Sequence, residues 1–175
     1  MIAAAPDPRP LILTALLAPA EQGWVEGLRR AHYPPTLNRV PAHISLFHQL
    51  PGSAADEVRR RLKAVCGGLA PLPATLAGFR SIGRGVALDV HCPDLVMLRD
   101  ELAAGWAGLL IAQDREGFRP HVTIQNKVTA AAARATLAAL AAGFVPRRSA
   151  IVALALWRYL DGPWAPIAEV RLRGG

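Results

Sequence analysis

The chain is poor in the residues that staple small proteins or hold metals. Cys66 and Cys92 are its only cysteines, and no C-x-x-C or H-x-H spacing occurs in the 175 residues. That excludes a disulfide scaffold and a thiolate zinc site, and it suggests a reducing, cytoplasmic setting with both thiols buried as small hydrophobes. A chain of this length buries a core without such staples. Long apolar runs are missing too: none approaches the eighteen or so residues of a membrane helix, so no span is expected. Lysine is nearly absent. Only Lys63 and Lys127 stand among 20 basic residues, against 13 acids, for a formal charge of +7. The excess favours an anionic partner, but the arginines are scattered and form no nucleic-acid tract. Aromatics make up 6% of the chain, so each one near a site is worth locating.

The N-terminus imitates a signal peptide, with Arg9, an apolar stretch and the ending Ala18-Pro19-Ala20. Against secretion stand the Pro-rich lead with Asp7 and the fit of the stretch as a strand in a repeat. Residues 1–9 read as a disordered lead-in. A short apolar run from Leu11 to Ala18 then precedes a helix marked by Trp24, Leu28 and Ala31. A strand at 43–50 and a helix carrying Val58, Leu62 and Val65 follow, and then a hairpin made of "ATLAGFRSI" and "GVALDVHC". From "GVALDV" the order returns: a helix opened by Pro93, the strand "HVTIQNKV", an alanine-rich helix, and two strands hinged at Asp161-Gly162-Pro163. Each half reads strand, helix, histidine-bearing strand, helix, strand, over approximately 10–83 and 85–173. The expectation is one α+β, bilobal domain over 1–175 with the two marked strands side by side in a cleft.

The marked strands share a pattern. In "HISL" His43 and Ser45 lie on one strand face, and in "HVTI" His121 and Thr123 do. Serine and threonine are scarce in this chain, so coincidence explains two such motifs at matching repeat positions poorly. Two imidazoles across a cleft can serve as general base and general acid near neutral pH. The hydroxyls one step along can hydrogen-bond the non-bridging oxygens of a phosphate between the rings, an arrangement suited to in-line displacement at phosphorus without a metal.

With "VPAHISLF", "FRPHVTIQNKV" and "LWRYLDGPWAPIAEVRL", the double motif resembles the 2H phosphoesterase superfamily, in its 2′-5′ RNA ligase-like (LigT-like) branch. The resemblance covers nearly the whole chain. It implies two facing antiparallel sheets, with activity on 2′,3′-cyclic phosphate or related phosphodiester ends of nucleotides or RNA, and neither metal nor nucleotide cofactor. It carries His43, Ser45, His121 and Thr123 over as the catalytic set, Ser45 standing where threonine is commoner. On this reading His121 activates water, or a 5′-hydroxyl in the ligating direction, and His43 protonates the leaving ribose oxygen. The direction of those roles and of the reaction stays open.

Around this set, Arg119 and Arg39 are candidate phosphate ligands, and Phe47, Tyr33, Phe118, Trp157 and Tyr159, with Arg158 between the last two, are candidate nucleobase contacts. Arg119 could instead pair with Glu116 or Asp114. Lys127, six residues beyond His121 on an extended strand, would lie roughly 20 Å away, out of reach of the reacting phosphorus but able to meet an outlying phosphate. The expected partner is a nucleotide or RNA terminus, met by a monomer. Two other functions stay open: a nucleotide or RNA-end binder with little turnover, and a hydrolase of a non-nucleotide phosphodiester.

Overall fold

The computed structural model describes residues 7–174. The lead-in expected at 1–9 therefore falls largely outside the described residues. Its last part is held in place, since Arg158 donates to the carbonyls of Asp7 and Arg9.

The seven strands are β1 (Leu11–Leu17), β2 (Ile44–Leu50), β3 (Leu72–Ser81), β4 (Val86–His91), β5 (His121–Gln125), β6 (Arg147–Tyr159) and β7 (Trp164–Arg171). Five α-helices among the described residues connect them: α1 (Pro19–His32), α2 (Ala55–Gly67), α3 (Pro93–Gly105), the short α4 (Ala112–Arg115) and α5 (Ala130–Ala141). Pro19 and Pro93 sit in the first turns of α1 and α3, where a missing N–H costs nothing. Thr129 caps α5 by accepting from the amide of Ala132.

Every strand pairing is antiparallel, in the order β1-β2-β5-β4-β3-β6-β7. Because β6 also pairs with β1, the sheet closes on itself. Where the family resemblance implies two facing sheets, hydrogen bonding runs through all the described strands in one barrel-like wall. The third strand of each sequence half is exchanged: β3 pairs with β4 and β6, while β6 pairs with β1. The ring is weakest between β2 and β5, which are matched only at Ile44 and Val122. Those two residues, with Leu88 beside Val122 on β4, are almost completely buried and join one core with Val25, Leu62 and Leu95 of the helices. No helix among the described residues is long and apolar enough to cross a membrane.

Strand alternation breaks in β2. Leu13 pairs with Phe47 but Thr14 pairs with Ser45, and Leu11 pairs with Leu50, so β2 is irregular in two places. Leu46 and Phe47 are consequently both buried. The amides of His48 and Gln49 donate to the Asp114 carboxylate, at 2.9 and 3.1 Å for the shorter contact of each. The His48 Nδ1 meets the same carboxylate at 2.8 Å, and Arg99 donates to the carbonyls of Leu46 and Asp114. A carboxylate with almost no solvent contact thus satisfies the backbone that the irregular strand leaves open.

Candidate functional site

His43 directly precedes β2, and His121 opens β5. The antiparallel match of Ile44 with Val122 sets His43 across from Thr123 and Ser45 across from His121. All four side chains are half-buried on the face opposite the core, in agreement with the alternation read from the sequence.

The two rings are held alike. His43 Nδ1 lies 2.7 Å from the carbonyl of Pro41, and His121 Nδ1 lies 2.9 Å from that of Arg119. A carbonyl can only accept, so each Nδ1 carries a proton and donates it. In the neutral ring Nε2 is then the lone-pair nitrogen, in both halves of the site.

A cleft of about 400 Å³ is lined by His43 and Thr123 together with Arg29, Tyr33, Arg39, Asn126, Lys127, Tyr159 and Trp164. No aspartate or glutamate is among its described lining residues. Ser45 and His121 adjoin it through the strand register and are not themselves in its lining. Desolvation holds the His43 pKa down to about 4, with the positive charges of Arg29, His121 and His48 adding, against the hydrogen bond to Pro41. His43 is therefore neutral at pH 7. Trp164 packs against it with ring centroids 4.9 Å apart.

The expected substrate contacts divide. Arg39, Tyr33 and Tyr159 line the cleft. Trp157 stands behind it, 6.2 Å from Trp164 between ring centroids and donating its Nε1 proton to Thr14 at 2.9 Å. Phe47 is not on the His43 face: the irregular stretch of β2 turns it into the core, edge-on to Trp106 and beneath the Arg99 guanidinium. Arg158 also points elsewhere, since alternation along β6 sends it away from Trp157 and Tyr159 toward Asp7. Phe118 and Arg119 line a separate groove of about 610 Å³ with His91 and Met97. Arg119 is paired, with neither of the expected acids but with Asp89 at 2.5 Å, and Asp89 also accepts from Arg80 at 2.6 Å.

Three cleft residues escape the sequence reading, and a fourth, Lys127, lies nearer the site than that reading places it. An extended strand would carry Lys127 out of reach, but β5 ends at Gln125 and the chain turns, bringing Lys127 back into the lining. Asn126 comes with it. Trp164 is the register partner of Tyr159 across the β6–β7 hairpin, a pairing the hinge at Asp161-Gly162 could have signalled. Arg29 gives the subtlest sign, four residues after Val25 on the buried side of α1, where an apolar residue would be ordinary. It is 2% exposed. It donates to the carbonyl of Thr123 at 2.6 Å, to Asn38 Oδ1 at 2.9 Å and to the carbonyl of Val40 at 3.4 Å, with Tyr33 under its face. From α1 it spans the seam between β5 and the loop that leads into β2.

The 2′-5′ RNA ligase superfamily model matches residues 17–163, which include both histidine motifs and most of the closed sheet. The chain belongs to that superfamily. Solved structures agree on the fold. TT0787 of Thermus thermophilus superposes with a TM-score of 0.67 at 19% identity, over 94% of this chain and 98% of that one. Escherichia coli LigT in complex with NADP+ gives 0.58 at 20% identity, over 95% and 99%. LigT in complex with 3′-AMP gives 0.60 at 17%, over the same shares. No curated protein matches the sequence. Membership of the superfamily points to an enzyme.

Proposed function

We propose that the protein is a 2H-type phosphodiesterase that opens 2′,3′-cyclic phosphate, or a related phosphodiester, at the end of a nucleotide or RNA, with no metal or cofactor in the chemical step. The observation that carries this is the matched pair of histidines. Each is fixed through Nδ1 to a backbone carbonyl, each leaves Nε2 for proton transfer, and each has a hydroxyl residue on the same face. The cations of the cleft suit a phosphate. LigT has been seen with 3′-AMP, ATP, NADP+ and phosphate.

His43, neutral in the free protein, is the better candidate for the base, the reverse of the roles suggested by the sequence. A bound phosphodiester anion offsets the charge of Arg29 and raises the His43 pKa toward the range where a base is effective. His43 Nε2 takes a proton from water as its oxygen bonds to phosphorus. The bond from phosphorus to one ribose oxygen breaks, and protonated His121 delivers its Nε2 proton to that oxygen. Ser45 and Thr123 donate to the non-bridging oxygens, whose charge grows in the transition state.

The test is product formation from nucleoside 2′,3′-cyclic phosphates with EDTA present, for the native protein and for His43→Ala and His121→Ala. Turnover by the native protein, lost in either variant, is the expected result. No product from folded native protein would defeat this reading, and ligand binding without product would favour a nucleotide-end binder.

A further inference from the structure

Lys127 is one of two described non-glycine residues with positive φ, at 61°. A left-handed backbone is sterically unfavourable for lysine, and such residues persist where the surroundings enforce them, often at functional sites. The surroundings here are tight. A Cβ on Gly85 would overlap the Gln125 carbonyl, so the β3–β4 hairpin lies directly against the end of β5. Beyond the turn, the Val128 amide donates to the Arg84 carbonyl and the Arg84 Nε donates to the Val128 carbonyl. The Lys127 amide donates to Asn126 Oδ1 at 2.8 Å. The result is to end the strand and bring Lys127 into the His43 cleft.

Charge supplies the second observation. Arg29, Arg39 and Lys127 line one cleft without a carboxylate among its described lining residues. Arg29 is committed to the carbonyls and amide oxygen it bridges. Arg39 anchors only its Nε, to the Thr36 carbonyl at 2.9 Å, and its Nη1 reaches beside Gly162. A phosphodiester carries a single negative charge, so two exposed cations are left over.

Resting on the reading above, we propose that Lys127 and Arg39 form a second anion subsite, which takes a further phosphate of the same ligand. The preferred substrate class is then a nucleotide end bearing another phosphate besides the reacting one. That phosphate sits on the terminal nucleotide's 5′-oxygen, as a monoester in a free nucleotide or as the phosphodiester to the preceding nucleotide in RNA.

Calorimetry on the full chain distinguishes these with three probes: adenosine 3′-monophosphate, adenosine 3′,5′-bisphosphate, and the dinucleotide ApAp with a 3′-phosphate. One or both of the longer probes should bind about tenfold more tightly than the monophosphate, the gain of a charge-assisted contact. The salt dependence of that probe should steepen by about 0.7 in log–log slope. A gain with the bisphosphate shows that a 5′-monoester fills the subsite, and a gain with the dinucleotide alone shows that the subsite takes that phosphate only as a phosphodiester to a preceding nucleotide. Lys127→Asn, which tolerates the left-handed backbone, and Arg39→Gln should each shrink the advantage to about threefold or less. Equal affinities for all three probes overturn the subsite, as does an advantage that survives in both variants. Turnover of adenosine 2′,3′-cyclic phosphate is checked on the same preparation. Its absence would defeat the proposed function and leave the affinity comparison standing.

Discussion

Replacing Arg29 by methionine removes a buried cation and the bonds it makes across the thinnest seam of the closed sheet. Two of those bonds are short, to the Thr123 carbonyl at 2.6 Å and to Asn38 Oδ1 at 2.9 Å, and the third, to Val40, is long at 3.4 Å. Hydrogen bonds from a charged donor contribute about 1.5–3 kcal/mol each, so the two good ones are worth roughly 3–6 kcal/mol. Against them stands the Arg29 Nε, buried with no partner, whose desolvation costs about 1–3 kcal/mol and vanishes with the guanidinium. The expected net loss centres on about 2.5 kcal/mol within the roughly 0–5 kcal/mol these ranges span, read as a lower urea midpoint at unchanged slope. Charge gives an independent readout. Burial first, and Arg29 among the nearby charges, hold His43 at about 4, so in Arg29→Met the His43 ring should titrate at higher pH by NMR. Tyr33, Tyr159, Arg39 and Lys127 of the cleft and His121 across the seam are unchanged in that comparison. Lysine at position 29 separates the two effects, since it keeps the charge but cannot fork between β5 and the loop that leads into β2: stability should fall while His43 stays low. The folded His43 pKa lies below its ordinary 6.5. Between those values the unfolded chain binds more protons, so stability declines as pH falls from about 6.5 to 4, and Arg29→Met should narrow that window. An unchanged midpoint in Arg29→Met would refute the clamp, and an unmoved His43 titration would refute the electrostatic argument.

The same physics gives two further expectations. Asp114→Asn should cost about 2–4 kcal/mol in urea unfolding, because one of its oxygens becomes an amide donor facing the amides of His48 and Gln49. Burial opposes the Asp114 charge, but its bonds from His48 and Gln49 outweigh that and lower its pKa below 3.8. Its contribution should therefore be complete above about pH 4 and fade as pH falls through the folded value; a stability unchanged by the substitution would rule out its bracing of β2. Gly85→Ala places a methyl group on the Gln125 carbonyl and should destabilise the protein by about 2 kcal/mol or more. It should also weaken phosphate binding by displacing the Lys127 turn, and a neutral result in both assays would contradict the tight packing of that hairpin.

What the sequence determined by itself was local and periodic. Alternation put His43 with Ser45 and His121 with Thr123, and the recurrence of that pattern in a repeated frame selected both strands and the family to which the chain belongs. The helices around Val58 and after Pro93, and the hairpins at Gly83 and Asp161-Gly162, were legible because capping, periodicity and turn chemistry act over a few residues. Tertiary structure decided everything that depends on a departure from ideal alternation or on distant partners. The irregular stretch of β2 that buries Phe47 is stabilised by Asp114, more than sixty residues away, and no period-2 reading contains it. Closure of the sheet follows from β6 pairing with β1, an exchange between the halves that either half alone leaves unspecified. The end of β5 at Gln125 is enforced by Gly85 and Arg84 of another hairpin, and it turns Lys127 from an outlying residue into part of the cleft. Arg29 has a meaning only when α1 lies over β5, because a lone arginine on a helix looks solvated until the strand carbonyl it binds is brought beneath it.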